Sequence, residues 1–361
     1  MIQTIPRTMF AWRKHRGNMK PIWEQVSVSQ APPTGFLVKM LAAGVCRSDH
    51  NLTTNEDQPA WFQDRFTLGH EGCGTIVEIG SHIPSDAGFE IGDVIALLAV
   101  PGCGERSCDE CKNELQQLCQ RGHHSGIGQD GFFAPYATID VRGAVKVPKG
   151  VTPSQAAVAT DAVTTAYHAI HRRGQIQSHE TVFLFGLGGL GFNALQILRA
   201  IGARVLVSDV KQDMLDAARD LGVHDEDIVP IGKDVKEWCR EKGWFGKVDV
   251  TADFVGVAQT FSDAQFLVRQ AGRMLCVGTL NHHNEVHMKI GIRKRLTIIF
   301  SYGGQTRDLE DVLELIARGV LDPMVRDAKI GDLPIVMDAL QKGEVKGRIA
   351  LVSQPKPVGK L

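Results

Sequence analysis

The chain has no excess of charge of either sign. Its 361 residues carry 40 Lys and Arg against 41 Asp and Glu, a formal net charge of −1. No global field therefore draws it to nucleic acid or to an anionic membrane surface. It also has no apolar run approaching the roughly 18–20 residues that a membrane-spanning helix needs. The opening MIQTIPRTMFAWRKHRG has no continuous apolar core before its charges, which argues against a signal peptide. Internal repeats and low-complexity tracts are missing as well. Together these absences point to a cytoplasmic protein whose partners are small molecules.

The length suggests two domains, and 43 % hydrophobic with 22 % charged residues is ordinary globular composition. Up to about residue 150, short β-like runs such as GFLVKMLAAGV, GTIVEIG and DVIALLAV are separated by turn signals such as APPTG and HIPSDAG. From about 155 to 300 the texture changes. Apolar strands (TVFLFG, ARVLVSD, VDVTADFVG, GRMLCVG) alternate with helix-like segments (LGFNALQILRAIG, KQDMLDAARDLG). That rhythm predicts βαβ units and a parallel sheet, hence an α/β fold. Beyond 300 lie a helix-like DLEDVLELIARG, a final strand GRIALVS and a tail, SQPKPVGKL, expected as a surface extension.

Eight cysteines in a cytoplasmic chain are not expected as disulfides. Four of them, Cys103, Cys108, Cys111 and Cys119, form a Cys-x4-Cys-x2-Cys-x7-Cys cluster. Four thiolates in one loop can close a tetrahedral Zn²⁺ shell that leaves no place for water. An iron–sulfur cluster or four unligated thiols are the alternatives. Cys46 in VCRSDH and His70 in LGHEGCG are further ligand types suited to zinc, although singly each also reads as an ordinary core residue. The stretch AAVATDAVTTAYHA holds one charge, Asp161, the only one between Lys149 and Arg172. A carboxylate there needs a solvent edge or a positive partner.

FGLGGLG fits G-x-G-x-x-G as Gly186, Gly188 and Gly191, with Gly189 and Leu190 completing the loop. It follows a strand, opens a helix, and is followed by a second strand ending in Asp209, 18 positions past Gly191. That context predicts dinucleotide binding, with the pyrophosphate at the helix N-terminus. Asp209 can accept from both ribose hydroxyls and would repel a 2′-phosphate, which favours NAD(H). Lys211 nearby leaves NADP(H) open.

GVCRSDH, LGHEGCG, the four-cysteine loop, DGFFAPYA, DAVTTAYHA, GLGGLG and GRIALV together resemble the zinc-dependent alcohol dehydrogenases of the medium-chain dehydrogenase/reductase family, over essentially the whole chain. The resemblance implies a GroES-like, β-rich catalytic domain over 1–155, a Rossmann doubly wound parallel sheet over 156–299, and a return segment over 300–361. It implies a catalytic zinc held by Cys46, His70 and Asp161, with Glu71 able to coordinate, and a structural zinc on the four cysteines. Many members carry Cys where this chain has Asp161, and many have x2 where it has x4 after Cys103.

By the same resemblance Ser48 contacts the substrate oxygen, His50 ends a proton relay and Asp49 orients the zinc site. Arg47 and Arg348 pair with the cofactor pyrophosphate, and Thr165 packs near the nicotinamide. The implied activity is hydride transfer between NAD(H) and an alcohol, aldehyde or ketone. A conjugated-carbonyl reductase and a non-catalytic NAD-binding protein are the alternatives. The short stretch between Cys119 and Tyr136 is similar to tetrameric branches of the family, so a homo-oligomer, tetramer before dimer, is the expectation. Trp61 and Leu98 are candidate pocket walls by analogy. His123–His124 and His282–His283 are expected as loop or surface pairs, and Arg293–Lys294–Arg295 as a solvated turn.

Overall fold

Runs that alternate or continue in apolar residues form strands, and a computed structural model shows how they pair; it describes residues 4–54 and 58–352. The expected tail, 353–361, lies outside the described residues. The chain divides into two compact units. The first comprises 1–161, 305–319 and 323–361; the second comprises 162–304 and 320–322.

The first unit is built on a seven-stranded sheet in the order Val325–Lys329, Arg348–Val352, Gly35–Val45, Glu71–Ile79, Val94–Leu98, Ala144–Lys146, with Tyr136–Asp140 also pairing on Gly35–Val45. A smaller sheet sets Thr8–His15 between Ile22–Ser27 and Arg65–Thr67. Phe36, Val38, Phe66, Leu68, Ile76, Ile95, Leu97, Phe132 and Phe133 fill the core. Three adjacent strands matter most. In register, Ile349 faces Val45 and Gly44 faces Glu71, so Arg348, Cys46 and Glu71 emerge at one end of the sheet.

The helix Pro153–Val158 begins at a capping box, Thr152 with Gln155, and has Pro at its first turn. It packs on Gly35–Val45, Glu71–Ile79 and Arg348–Val352. It does not continue as a regular α-helix. Ala159–Val163 and His168–Arg173 are π-helical turns on either side of Thr164–Tyr167. Such widened turns re-aim the side chains they carry and recur at functional sites. Asp161 sits in the middle of the first of them.

In the second unit the continuous apolar runs become a parallel sheet in the order Arg204–Ser208, Thr181–Phe185, Val248–Asp253, Val268–Cys276, Thr297–Phe300. TVFLF is buried along nearly its whole length, as a strand covered on both faces must be. A parallel bridge between Val207 and Ile228 leaves the trace of a sixth strand, which gives the 3-2-1-4-5-6 order of a dinucleotide fold. Among the described residues no helix is long and apolar enough to cross a membrane.

The reading of Arg293–Lys294–Arg295 as a solvated turn needs correction. Lys294 ends the helix Met288–Lys294, and its ammonium donates to the carbonyls of Gln265 at 3.1 Å, Phe266 at 2.7 Å and Val268 at 2.6 Å. Those carbonyls belong to the C-terminal end of the helix Ala258–Leu267 and the residue after it, where acceptors have no helical donor left. Burial lowers the Lys294 pKa, yet the three acceptors hold the cation. Lys294→Met should therefore destabilise the second unit by about 1–2 kcal/mol, seen as a fall of a few degrees in a thermal melt; an unchanged melt would remove this role.

Candidate active site

Cys46 follows the strand Gly35–Val45 and precedes the helix Arg47–Thr54. The turn is held by Asp49, which is fully buried. One of its carboxylate oxygens accepts from the Cys46 amide at 2.8 Å, and the other meets His70 Nδ1 at 3.0 Å. With Nδ1 engaged, His70 has Nε2 left as a ligand atom. Burial opposes protonation of His70, but the charge and hydrogen bond of Asp49, together with Cys46, outweigh it and hold the pKa well above the usual histidine range. Metal-ligand atoms of Cys46, His70, Glu71 and Asp161 all lie within 4.8 Å of one another.

Glu71 is buried and neither carboxylate oxygen has a hydrogen-bond partner, although Arg348 Nε stands 3.4 Å from Oε1. Its seat exists because Gly44, opposite it in the sheet, has no side chain: a Cβ there would lie 2.0 Å from Glu71 Oε2. Burial raises the Glu71 pKa well above the carboxylate range, against the pull of Arg348. A buried thiol would also resist ionisation, but Arg348 and His70 outweigh burial and Asp161 and lower the Cys46 pKa. A thiolate, an oriented imidazole and orphaned carboxylate oxygens in so small a volume are a donor set that fits a divalent ion.

Arg348 is itself buried, 6 % exposed. Its Nη2 is 3.4 Å from Cys46 Sγ and 3.4 Å from Asp161 Oδ2. Sequence reasoning sent this guanidinium to a pyrophosphate and missed its place among the ligands. Gly44 was missed too. Neither has a local signal, because both depend on strand register. The other predicted residues of this segment are more open. Arg47 and Ser48 are exposed and His50 is half-buried on the same helix, with Ser48 Oγ 3.6 Å from Cys46 Sγ.

The four cysteines also converge, each with its sulfur within 4.8 Å of the others. Cys103 and Cys111 are 3.7 Å apart, as are Cys108 and Cys119. A tetrahedron with Zn–S bonds of about 2.3 Å has edges of about 3.8 Å, so the spacing suits one zinc and is far too long for disulfides. The x4 insertion does not displace Cys103, whose carbonyl is held by Arg142. Burial works against the Cys119 thiolate, yet the backbone amides of Arg121 and Cys103 bring its pKa down to about 7.

In the second unit Gly186 takes φ +84° after Phe185, and a Cβ on Gly191 would lie 2.0 Å from the Gly186 carbonyl oxygen. That contact closes helix onto strand. A Cβ on Gly188 would meet nothing within 4 Å, so the loop with Gly189 and Leu190 offers open backbone to a ligand. Asp209 accepts from the amides of Leu187 at 2.6 Å and Lys211 at 2.8 Å, which ties the end of the second strand to the glycine loop. Thr165 is buried.

Two family profiles match the chain: an alcohol dehydrogenase GroES-like domain over residues 32–149 and a zinc-binding dehydrogenase over 189–318. An acryloyl-coenzyme A reductase of Sulfurisphaera tokodaii is 33 % identical over 265 residues, 72 % of this chain and 74 % of its own. The chain belongs to the zinc-dependent alcohol dehydrogenases of the medium-chain dehydrogenase/reductase family. An alcohol dehydrogenase of Geobacillus stearothermophilus is 29 % identical over 92 % of this chain and 96 % of its own. Among solved structures, the acetophenone reductase of Geotrichum candidum in complex with NAD matches with TM-score 0.86 at 29 % identity, covering 97 % of this chain and 98 % of that one. The alcohol dehydrogenase of Aeropyrum pernix matches with TM-score 0.85 at 28 % identity, covering 95 % and 99 %. For this family member, the four-cysteine loop fits the structural zinc and the Cys46–His70–Glu71 set the catalytic one.

The remaining candidates fall outside both clusters. His282 and His283 are exposed, and His123 Nε2 meets the Asp130 carbonyl. His124 stacks edge-on with Trp61, which is half exposed, and binds the Cys119 carbonyl. Leu98 is buried opposite Glu71 in the sheet.

Proposed function

We propose that this chain interconverts alcohols with aldehydes or ketones, using NAD(H) and a zinc ion held by Cys46, His70 and Asp161, with Glu71 as a further ligand. The observation that carries this reading is the convergence of those four donors around an Asp49-oriented histidine. Zinc bound there supplies a Lewis acid for the substrate oxygen, and the nicotinamide supplies or accepts the hydride.

The chain's own residues do the rest. Ser48, exposed beside Cys46, takes or returns the substrate proton, and His50 passes it on toward water. Arg47, exposed on its helix, pairs with the pyrophosphate, while the loop Gly186–Gly191 receives it at backbone level. Asp209 binds the adenosine ribose and Thr165 packs on the nicotinamide. All eight cysteines are unpaired, which suits the reducing cytoplasm in which we place the protein, as a homo-oligomer with a tetramer favoured.

One observation favours a second reading. The acryloyl-coenzyme A reductase among its relatives acts, by name, on a conjugated carbonyl compound, and this fold could serve such a substrate. Initial rates across aliphatic and aromatic alcohols, their carbonyls and α,β-unsaturated carbonyls, each with NADH and NADPH, separate the two. The expected result is alcohol–carbonyl turnover with NADH preferred by about tenfold or more, from the charge of Asp209 against a 2′-phosphate. Asp209→Ser should narrow that preference. Reduction confined to the carbon–carbon double bond would replace the first reading by the second, and equal use of both cofactors would contradict the role of Asp209.

A further inference from the structure

Arg348 is the only guanidinium shown in contact with three of the four proposed catalytic ligands among the described residues. It reaches Cys46 Sγ, Asp161 Oδ2 and Glu71 Oε1, each at 3.4 Å. Its position is fixed by the sheet rather than by a flexible loop, because Arg348 pairs with Val325 and the next residue, Ile349, pairs with Val45, the neighbour of Cys46. Burial leaves little water to screen the interaction. A buried cation in this position counters part of the negative charge of the cluster.

The count is simple. Thiolate Cys46 and carboxylates Glu71 and Asp161 sum to −3 and His70 is neutral when it ligates a metal. Arg348 offsets one of these charges, while the buried Asp49 carboxylate behind His70 adds a further negative one. Without Arg348 the same ligands would face a divalent ion with a net −3.

From this arrangement we propose that Arg348 is a built-in counter-cation that sets the zinc affinity of the Cys46–His70–Glu71–Asp161 site, competing with the metal for the same three anions and keeping its hold from becoming tighter. It acts through the ligands and is a positioning residue. The proposal rests on reading that cluster as a zinc site. It adds that the cation weakens zinc binding, whereas a residue that merely propped up the ligands would strengthen it.

The test is competition of the intact protein for zinc against a chromogenic chelator, at one fixed pH, without cofactor or substrate. A Cys46→Ser chain, which retains the four-cysteine site, supplies the count to subtract. Arg348→Gln removes the charge; it should bind the catalytic zinc tighter by on the order of tenfold or more and release it more slowly to excess chelator. Arg348→Lys keeps the charge and should stay close to the parent. If the Gln chain does not fold, Arg348→Met carries the same expectation. Unchanged or weaker zinc binding in the neutral variant, or equal tightening in the Lys variant, would overturn the proposal. Should the unaltered chain hold a single zinc that Cys46→Ser does not reduce, the catalytic-site reading fails first.

Discussion

Replacing Asp161 by Ala should lower turnover by about three orders of magnitude, since Lewis-acid stabilisation is worth several kcal/mol and each 1.36 kcal/mol is tenfold in rate. The carboxylate belongs to a π-helical turn that places it within 4.8 Å of the Cys46, His70 and Glu71 donors. Alanine removes a negative ligand and leaves Arg348 with less charge to answer. NADH binding should persist, because the glycine loop and Asp209 belong to the other unit. The check is paired: steady-state rates and NADH affinity on the same preparation, with metal counted. Undiminished turnover from a verified zinc-free Asp161→Ala protein would refute the assignment. Asp161→Cys should, in contrast, retain zinc better through dialysis against chelator, as a thiolate is the softer and more tightly held ligand.

The second large effect concerns stability. The loop around Cys103, Cys108, Cys111 and Cys119 has almost no core of its own. Its only regular pieces are Asp109–Lys112 and Gln116–Leu118, while Leu115 and Leu118 are 39 % and 44 % exposed. Its order therefore depends on the metal. Cys108→Ser should lower the melting temperature by about 10 °C, corresponding to a loss of a few kcal/mol in a domain of this size. Zinc should fall by one per chain, and activity measured well below the melt should survive. A melt equal to that of the parent would mean that the loop is held by its protein contacts, such as Arg142 on the Cys103 carbonyl and Arg307 on Glu114.

Much of this was legible in the sequence for a physical reason. A glycine loop, a four-cysteine spacing and an apolar strand state their geometry within a few residues, so FGLGGLG after TVFLF, with a helix and then Asp209 beyond it, announces a dinucleotide fold. Asp161 was legible as an anomaly, because a lone acid in an apolar run demands a partner. That the partners include Arg348 was not legible. The two residues lie 187 positions apart and meet because the helix Pro153–Val158, which leads into the turn of Asp161, packs on the strand that begins at Arg348. Gly44 escaped for the same reason: its lack of a side chain matters only because Glu71 faces it. The π-helical turns follow from no local propensity, and Lys294 looked like one of three solvated charges until the carbonyls around it were known.

The central claim is that this chain carries two zinc ions and that the one at Cys46, His70 and Asp161 is required for alcohol oxidation. It is tested most directly by counting zinc in the purified protein and following NADH formation from an alcohol that the substrate panel shows to be turned over, before chelation, after it, and after zinc is returned. The account predicts two zinc ions per chain, loss of one with loss of activity, and recovery of both together. Activity that survives removal of the second ion, or a protein that binds one zinc and turns over undiminished, would contradict it.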